Sequence, residues 1–77
     1  MTQSVFTKRY QLLLSILIAL REDAGLSQHQ LAKKLKKPQS FVSKYERGER
    51  RLDVIELLDI TKALETDLHK VIDKLQG

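Results

Sequence analysis

The chain has 77 residues, 42% of them hydrophobic, and its 14 lysines and arginines against 10 aspartates and glutamates give a net charge of +4. This length allows one domain with a modest core, and we expect residues 1–77 to form it. There is no cysteine, which excludes disulfides and thiolate metal sites and is compatible with a reducing, cytoplasmic setting.

The first predicted helix covers residues 7–24 and ends at Gly25. Its inward face follows the helical period and consists of Tyr10, Leu13, Leu17, Leu20 and Ala24. Further apolar residues lie beside that face, at Leu12, Leu14, Ile16 and Ile18. We expect this excess to contact the C-terminal helix, the N-terminal segment or another subunit. The apolar stretch 12–20 is too short to span a bilayer, so the sequence predicts a soluble protein with no membrane segment.

Two short helices joined by a tight turn are predicted within residues 27–48. Ser27 is placed to cap the first of them, and Gln30, three residues later, completes a capping box. Pro38 interrupts the pattern and fits the first turn of a new helix. The inward residues of this second helix are Phe41, Val42 and Tyr45. Its outward residues are Gln39, Ser40, Ser43, Lys44 and Arg47.

The remaining sequence predicts two more helices. Asp53 and Glu56 form a second capping box at the start of the fourth helix, whose broad apolar surface predicts a central position in the core. Its apolar residues are Val54, Ile55, Leu57, Leu58, Ile60, Ala63 and Leu64. A fifth helix starts near Asp67, and its apolar stripe is Leu68, Val71, Ile72 and Leu75. No stretch alternates apolar and polar residues as a strand does, so the predicted fold is all-α with five helices.

Charge is distributed unevenly along the chain. Residues 33–51 contain eight lysines and arginines against two glutamates, whereas residues 53–77 contain six acidic residues against three lysines. A polyanion such as DNA would be attracted to the first region and repelled by the second. A solvated lysine-rich surface is the alternative interpretation, and charge alone does not favour one over the other.

The sequence does not indicate catalytic or metal-binding residues. His29 and His69 are isolated, with no second histidine or carboxylate at metal-ligand spacing. The three glycines lack the spacing of a dinucleotide-binding or phosphate-binding loop. The sequence therefore predicts neither an enzyme nor a metal or cofactor site.

Three segments, LREDAGLSQHQLA, SKYERGERR and LLDITKAL, resemble the Cro and phage-repressor type of helix-turn-helix, known as XRE-type transcriptional regulators. The resemblance covers residues 17–72. It implies a repressor or autoregulator that binds a palindromic double-stranded DNA operator as a homodimer, with the helix 39–47 in the major groove. Two positions depart from the family, because Lys36 replaces the usual glycine of the turn and Pro38 replaces a frequent serine cap.

The resemblance also implies which residues contact bases. They are Gln39, Ser40 and Lys44, with Ser43 as a lesser candidate. The chemistry supports these positions, since a glutamine amide matches the donor and acceptor of adenine and a lysine donates to guanine.

Phosphate contacts are expected from Gln28, Arg47 and Arg51, because arginine side chains and the amide end of a helix both bind anions. A buried ion pair is expected between Arg21 and Glu46, as in other repressors of this type. This pairing would turn the carboxylate away from DNA. Two solvated surface charges are the alternative.

The excess apolar surface could hold a second subunit. The candidate dimer residues are Val5, Phe6, Leu14, Ile18, Val71 and Leu75. The competing interpretation is that the fifth helix covers the first within one subunit. An alternative function uses the same surface, in an antitoxin-like or anti-repressor module that binds a toxin or another protein through the first and fifth helices.

Overall fold

The computed structural model describes residues 7–77, and this part of the chain folds into five helices without a strand. They are α1 (Lys8–Asp23), α2 (Gln28–Leu35), α3 (Gln39–Glu46), α4 (Val54–Ala63) and α5 (Leu68–Gln76). The all-α, five-helix fold expected from the sequence is confirmed. None of these five helices has the length and apolar character needed to cross a membrane.

Side-chain caps lie at the start of every helix except α3. Thr7 accepts a hydrogen bond from an amide in the first turn of α1, so this helix starts one residue later than predicted. Ser27 Oγ accepts from the amide of Gln30 at 3.1 Å, and the Gln30 carboxamide oxygen accepts from the amide of Ser27 at 2.8 Å. Asp53 and Glu56 form the same reciprocal pair at the start of α4. These caps satisfy amides that have no partner inside a helix, which is why local sequence sets the boundaries.

Two residues shape the turn between α2 and α3. Lys36 has a φ of 58°, a left-handed conformation that side chains rarely adopt, and its amide donates to carbonyls at the end of α2. Pro38 precedes α3 with a φ of −68° and makes no side-chain cap. Lys36 therefore takes the conformation of the glycine that it replaces, and α2 still ends in a left-handed cap.

The first three helices contribute most of the core. α2 packs along α3, α1 packs against α3 and α5, and α4 packs against α2 and α5. The buried hydrophobic side chains are Tyr10, Leu13, Leu14, Leu17, Leu31, Ala32, Phe41, Val42, Tyr45, Ile60, Leu64 and Val71. The inner side of α3 is therefore covered by the rest of the chain, and its outer side remains in solvent.

The prediction that α4 is a central core helix is wrong. Only Ile60 and Thr61 are buried within this helix. Val54 and Ile55 are each 65% exposed, and Leu58 is 43% exposed. The helix packs through Leu57 and its C-terminal half, so Val54, Ile55 and Leu58 stay exposed.

Part of the apolar excess of α1 is covered within the same chain. Leu14 on α1 and Val71 on α5 are 7% and 1% exposed and belong to one hydrophobic core. This burial corrects their assignment to a dimer interface, because little of either side chain is left for a second subunit. Ile18 and Leu75 remain partly exposed. The candidates that lie outside the described residues are Val5 and Phe6.

Candidate nucleic-acid interface

The solvent side of α3 carries the four residues expected to contact bases. Gln39, Ser40 and Lys44 are exposed, and Ser43 is half-buried. Their spacing of one, three and one residues places them on one surface over about one and a half helical turns, here called the α3 stripe. A single α-helix fits the major groove of B-DNA with such a surface against the base edges. The structure therefore brings the four predicted residues together.

The opposite side of α3 is anchored in the core. Val42 and Tyr45 are fully buried, and Phe41 is 9% exposed. The rings of Phe41 and Tyr45 meet edge to face, with centroids 5.6 Å apart and an interplanar angle of 64°. Because these side chains fix the rotation of α3 about its own axis, they also fix the direction of the α3 stripe.

The phenol of Tyr45 is the most unusual group behind the stripe. Its hydroxyl has no hydrogen-bond partner among residues 7–77. Burial raises the pKa of Tyr45, because the phenolate would lose its hydration, and the Glu46 carboxylate raises this pKa further. The folded chain therefore holds the phenolic proton more strongly than the unfolded chain does.

Above about pH 10, we expect the free energy of unfolding to fall by up to about 1.4 kcal/mol per pH unit as Tyr45 titrates. The unfolded chain releases this proton near the ordinary pKa of 10.0, whereas the folded chain retains it. The contribution of the retained Tyr45 proton to the free energy of unfolding is thus complete below that pH and is lost as the pH rises above it. Urea unfolding over this range measures the slope. Tyr45→Phe is the matched control and should show a shallower fall, so equal slopes in the two proteins would refute the assignment.

Arg21 and Glu46 connect the last turn of α1 to the end of α3. Arg21 Nε donates to Glu46 Oε2 at 2.7 Å, and Nη2 donates to Oε1 at 3.1 Å. Nη1 donates to the carbonyl of Leu26 at 2.8 Å. The two side chains are only 12% and 5% exposed, and the hydrogen bonds to Glu46 raise the pKa of Arg21. The structure therefore places this predicted pair in direct, largely buried contact, with the carboxylate turned inward.

Gln28, expected at a phosphate, lies instead against the same carboxylate. Its Nε2 donates to Glu46 Oε1 at 2.8 Å, and its side chain is half-buried. Glu46 thus accepts hydrogen bonds from side chains of α1 and α2 while belonging to α3. Sequence reasoning missed this contact, because residues 28 and 46 are brought together only by the packing of α2 on α3.

The two arginines expected at phosphates have different neighbours. Arg47 follows the α3 stripe by one turn and donates to Glu49, from Nε to Oε2 at 2.8 Å and from Nη2 to Oε1 at 3.2 Å. These hydrogen bonds raise the pKa of Arg47 and lower the pKa of Glu49. The guanidinium of Arg51 lies 4.4 Å from the ring centre of Tyr10 on α1. Each arginine is therefore exposed but already held by a protein group.

A third arginine, which sequence reasoning did not single out, fastens the loop after α3. Arg50 donates to Glu56 through Nη2 at 2.6 Å and through Nη1 at 3.1 Å. Its guanidinium also lies 5.1 Å from the ring centre of Phe41, and Lys37 approaches the same ring at 5.4 Å. This arrangement ties the beginning of α4 to the inner side of α3. The charge of residue 50 could not reveal it, since Glu56 and Phe41 lie six and nine positions away and the loop after α3 has no regular spacing that would bring them together.

An exposed apolar surface on α4 was also missed. It consists of Val54, Ile55 and Leu58 and is here called the α4 patch. A signal was present in the sequence, because α4 carries apolar residues on more than one side and a single buried face needs fewer. Exposed apolar residues that cluster in this way are typical of protein contact surfaces.

The two histidines lie on different helices, α2 and α5. His29 is exposed on α2, and the ring Nδ1 of His69 lies 3.1 Å from the Asp67 carboxylate at the start of its own helix. In the part of the chain that the structure describes, no three histidine, cysteine, aspartate or glutamate side chains are grouped to hold a metal ion.

Known proteins share both the sequence pattern and the fold of this chain. The helix-turn-helix family matches residues 17–71. An XRE-family like protein from Pseudomonas syringae pv. tomato str. DC3000 is 50% identical, with a TM-score of 0.85 over 88% of this chain and 83% of that chain. No significant match to a curated protein is found.

Two further solved structures are similar at lower identity. The clp gene regulator ClgR from C. glutamicum is 22% identical, with a TM-score of 0.81 over 92% of this chain and 91% of that chain. A mutant of the restriction-modification controller protein C.Esp1396I is 26% identical, with a TM-score of 0.82 over 90% and 87%. Because the family match covers more than half of its residues, the protein belongs to the helix-turn-helix family and is an XRE-type DNA-binding transcription regulator.

Proposed function

We propose that this protein is a sequence-specific repressor or autoregulator of the cytoplasm that binds a palindromic DNA operator as a homodimer. The observation that carries the proposal is the α3 stripe, an exposed surface of hydrogen-bonding side chains on a helix whose opposite side is locked in the core. The segment 33–51, with eight basic residues against two glutamates, adds long-range attraction for DNA, although Lys34 and Arg50 contact Glu65 and Glu56.

In this proposal the α3 stripe reads base edges in the major groove. Gln39 begins α3, and its carboxamide offers the donor and acceptor that match N6 and N7 of adenine. Lys44, one turn further along, donates to O6 or N7 of guanine. Ser40 can serve several bases, and the half-buried Ser43 contributes less.

We assign backbone contacts to Arg47 and Arg51, whose exposed guanidinium groups lie beyond the end of α3. Arginine binds phosphate as a planar fork, which suits both positions. Gln28 fits this role less well than the sequence suggested, because its amide already donates to Glu46. The free backbone amides at the start of α2 keep an affinity for phosphate without that side chain.

We assign the dimer contact to the α4 patch. A two-fold pair can bury the same patch on both subunits and present two α3 stripes to half-sites about one helical turn apart. The controller protein C.Esp1396I, which has the same fold, is described as a tetramer in complex with its natural 35 base-pair operator. Ile18 and Leu75, both partly exposed, are secondary candidates for subunit contacts.

Leu58→Glu is expected to weaken dimerisation at least about tenfold, because it places a charge in an apolar contact. Leu12→Glu on α1 is a matched control, since Leu12 is 42% exposed and Leu58 43% exposed. Sedimentation at micromolar concentration measures both. A wild-type monomer with no cooperative binding to a palindrome would contradict the dimer, and equal effects of the two variants would contradict the α4 patch as its interface.

The alternative function, a protein-binding module, loses support from the fold. It relied on excess apolar surface on α1 and α5, which is smaller than the sequence suggested, although Leu12 and Ile72 stay exposed. Leu14 and Val71 lie in the core rather than on a binding face. We therefore do not propose a toxin or other protein partner.

Selection of bound duplexes from a random library tests the proposed function, because it returns the site, its symmetry and its spacing together. We expect an inverted repeat with half-sites about one helical turn apart, and an affinity that falls steeply as salt is raised. A chain that is not retained on duplex DNA even at low salt would overturn the proposal and restore the protein-binding alternative.

A further inference from the structure

Glu49 places a carboxylate just after the end of α3, within the basic segment 33–51. Its amide donates to the carbonyl of Lys44 at 2.9 Å, which holds residue 49 in the turn that ends α3. Gly48 permits this reversal with a φ of 79°. The carboxylate is thereby kept beside Arg47, a cation that the proposed function assigns to the DNA backbone.

The contact between Arg47 and Glu49 has the form of an arginine–phosphate contact. Two guanidinium nitrogens, Nε and Nη2, each donate to one carboxylate oxygen, at 2.8 and 3.2 Å. Carboxylate and phosphate present similar pairs of oxygens to this planar fork. Glu49 thus occupies donors that a DNA phosphate would use.

We propose that Glu49 is an internal competitor for DNA phosphate, which holds Arg47 in the free protein and must be displaced before Arg47 can grip the DNA backbone. This inference rests on the proposed function, in which Arg47 contacts phosphate. Because phosphate is present in every duplex, Glu49 lowers affinity for all sequences alike. Discrimination between sequences stays with the α3 stripe, which touches base edges.

The competition is mild rather than blocking. Arg47 and Glu49 are 57% and 53% exposed, and water screens an ion pair of this kind. Releasing Arg47 should therefore tighten binding by roughly twofold to fivefold, the range that exposed pairs of ordinary strength span. A gain of this size changes how long the protein stays on DNA of any sequence.

The test is a cycle of Glu49→Gln, Arg47→Gln and the double variant, each titrated with a random-sequence duplex and with a selected site. All changes are at exposed positions, and circular dichroism verifies the fold of each protein. Asp73→Asn on α5 is the control for net charge, because it removes one negative charge far along the chain from α3. We expect Glu49→Gln to bind both duplexes more tightly and Asp73→Asn to bind them like the wild type.

The background of Arg47→Gln separates competition from simple repulsion between Glu49 and DNA. If Glu49 acts through Arg47, the gain from Glu49→Gln should largely disappear in that background. A gain of unchanged size there, or no gain in either background, would overturn the inference while leaving the proposed function in place. No loss of affinity in Arg47→Gln would overturn the inference and also the assignment of Arg47 to phosphate, but it would leave the α3 stripe as the proposed reading surface. Absence of wild-type binding to any duplex would instead remove the proposed function, and this inference with it.

Discussion

Replacing Arg21 by methionine is expected to lower the free energy of unfolding by about 3 kcal/mol, because the change strands the buried Glu46 carboxylate. This value is at the lower end of the range for buried pairs, since Arg21 is still 12% exposed and Gln28 continues to donate to the carboxylate. Glu46→Gln should cost a similar amount by stranding the guanidinium. Urea unfolding of both single variants and of the double variant measures the coupling between them.

Two controls sharpen this experiment. Gln28→Ala removes one hydrogen bond from Glu46 and should cost only about 1 kcal/mol. Arg47→Met breaks an exposed pair and should leave stability nearly unchanged. Coupling between Arg21 and Glu46 below about half a kcal/mol would show that the observed contact contributes nothing to folding. We also expect Glu46→Gln to weaken DNA binding, because α3 would be held less firmly.

Gln39→Ala or Lys44→Ala is expected to weaken binding to the preferred site by roughly 1 to 3 kcal/mol and to relax the preference at one base pair. Each substitution would remove the proposed hydrogen bonds to a base edge. Both positions are exposed, so the fold should be unaffected. Competition binding with the selected site and with single-base variants of it measures the effect.

Lys70→Ala on α5 is the control for the loss of one positive charge, and it should change affinity little for either kind of DNA. An equal loss on the selected site and on random DNA would move the substituted residue from base reading to backbone contact. If neither Gln39→Ala nor Lys44→Ala altered the preferred sequence, the α3 stripe would not be the reading surface.

The sequence predicted the fold well where structure depends on neighbouring residues. The capping boxes at Ser27 and Asp53 each join residues three apart, so the starts of α2 and α4 could be read directly. The position of α4 could not be read in this way. Its apolar residues lie on more than one side, and only the packing of the other helices decides which of them, such as Ile60, become buried.

In the candidate site too, features set by neighbouring residues could be predicted from residue spacing, whereas features set by packing between helices could not. The α3 stripe follows from the helical period of one segment, and the contact between Arg21 and Glu46 was suggested by the family resemblance. The contact of Gln28 depends on how α2 packs on α3. The position of Glu49 depends on the reversal of the chain after α3. Neither of these has a signature in residue spacing.

Glu46, at the end of α3, accepts hydrogen bonds from side chains of α1 and α2, so one carboxylate holds three helices together in the free protein. The helices that we expect to contact DNA are already ordered in the free protein, so little of their conformational entropy would be lost on association. The heat-capacity change on binding should then match the apolar surface buried between two rigid bodies, without the larger decrease that accompanies folding on contact. Calorimetry of Glu46→Gln at several temperatures should show a more negative heat-capacity change than the wild type, as loosened helices become ordered on DNA.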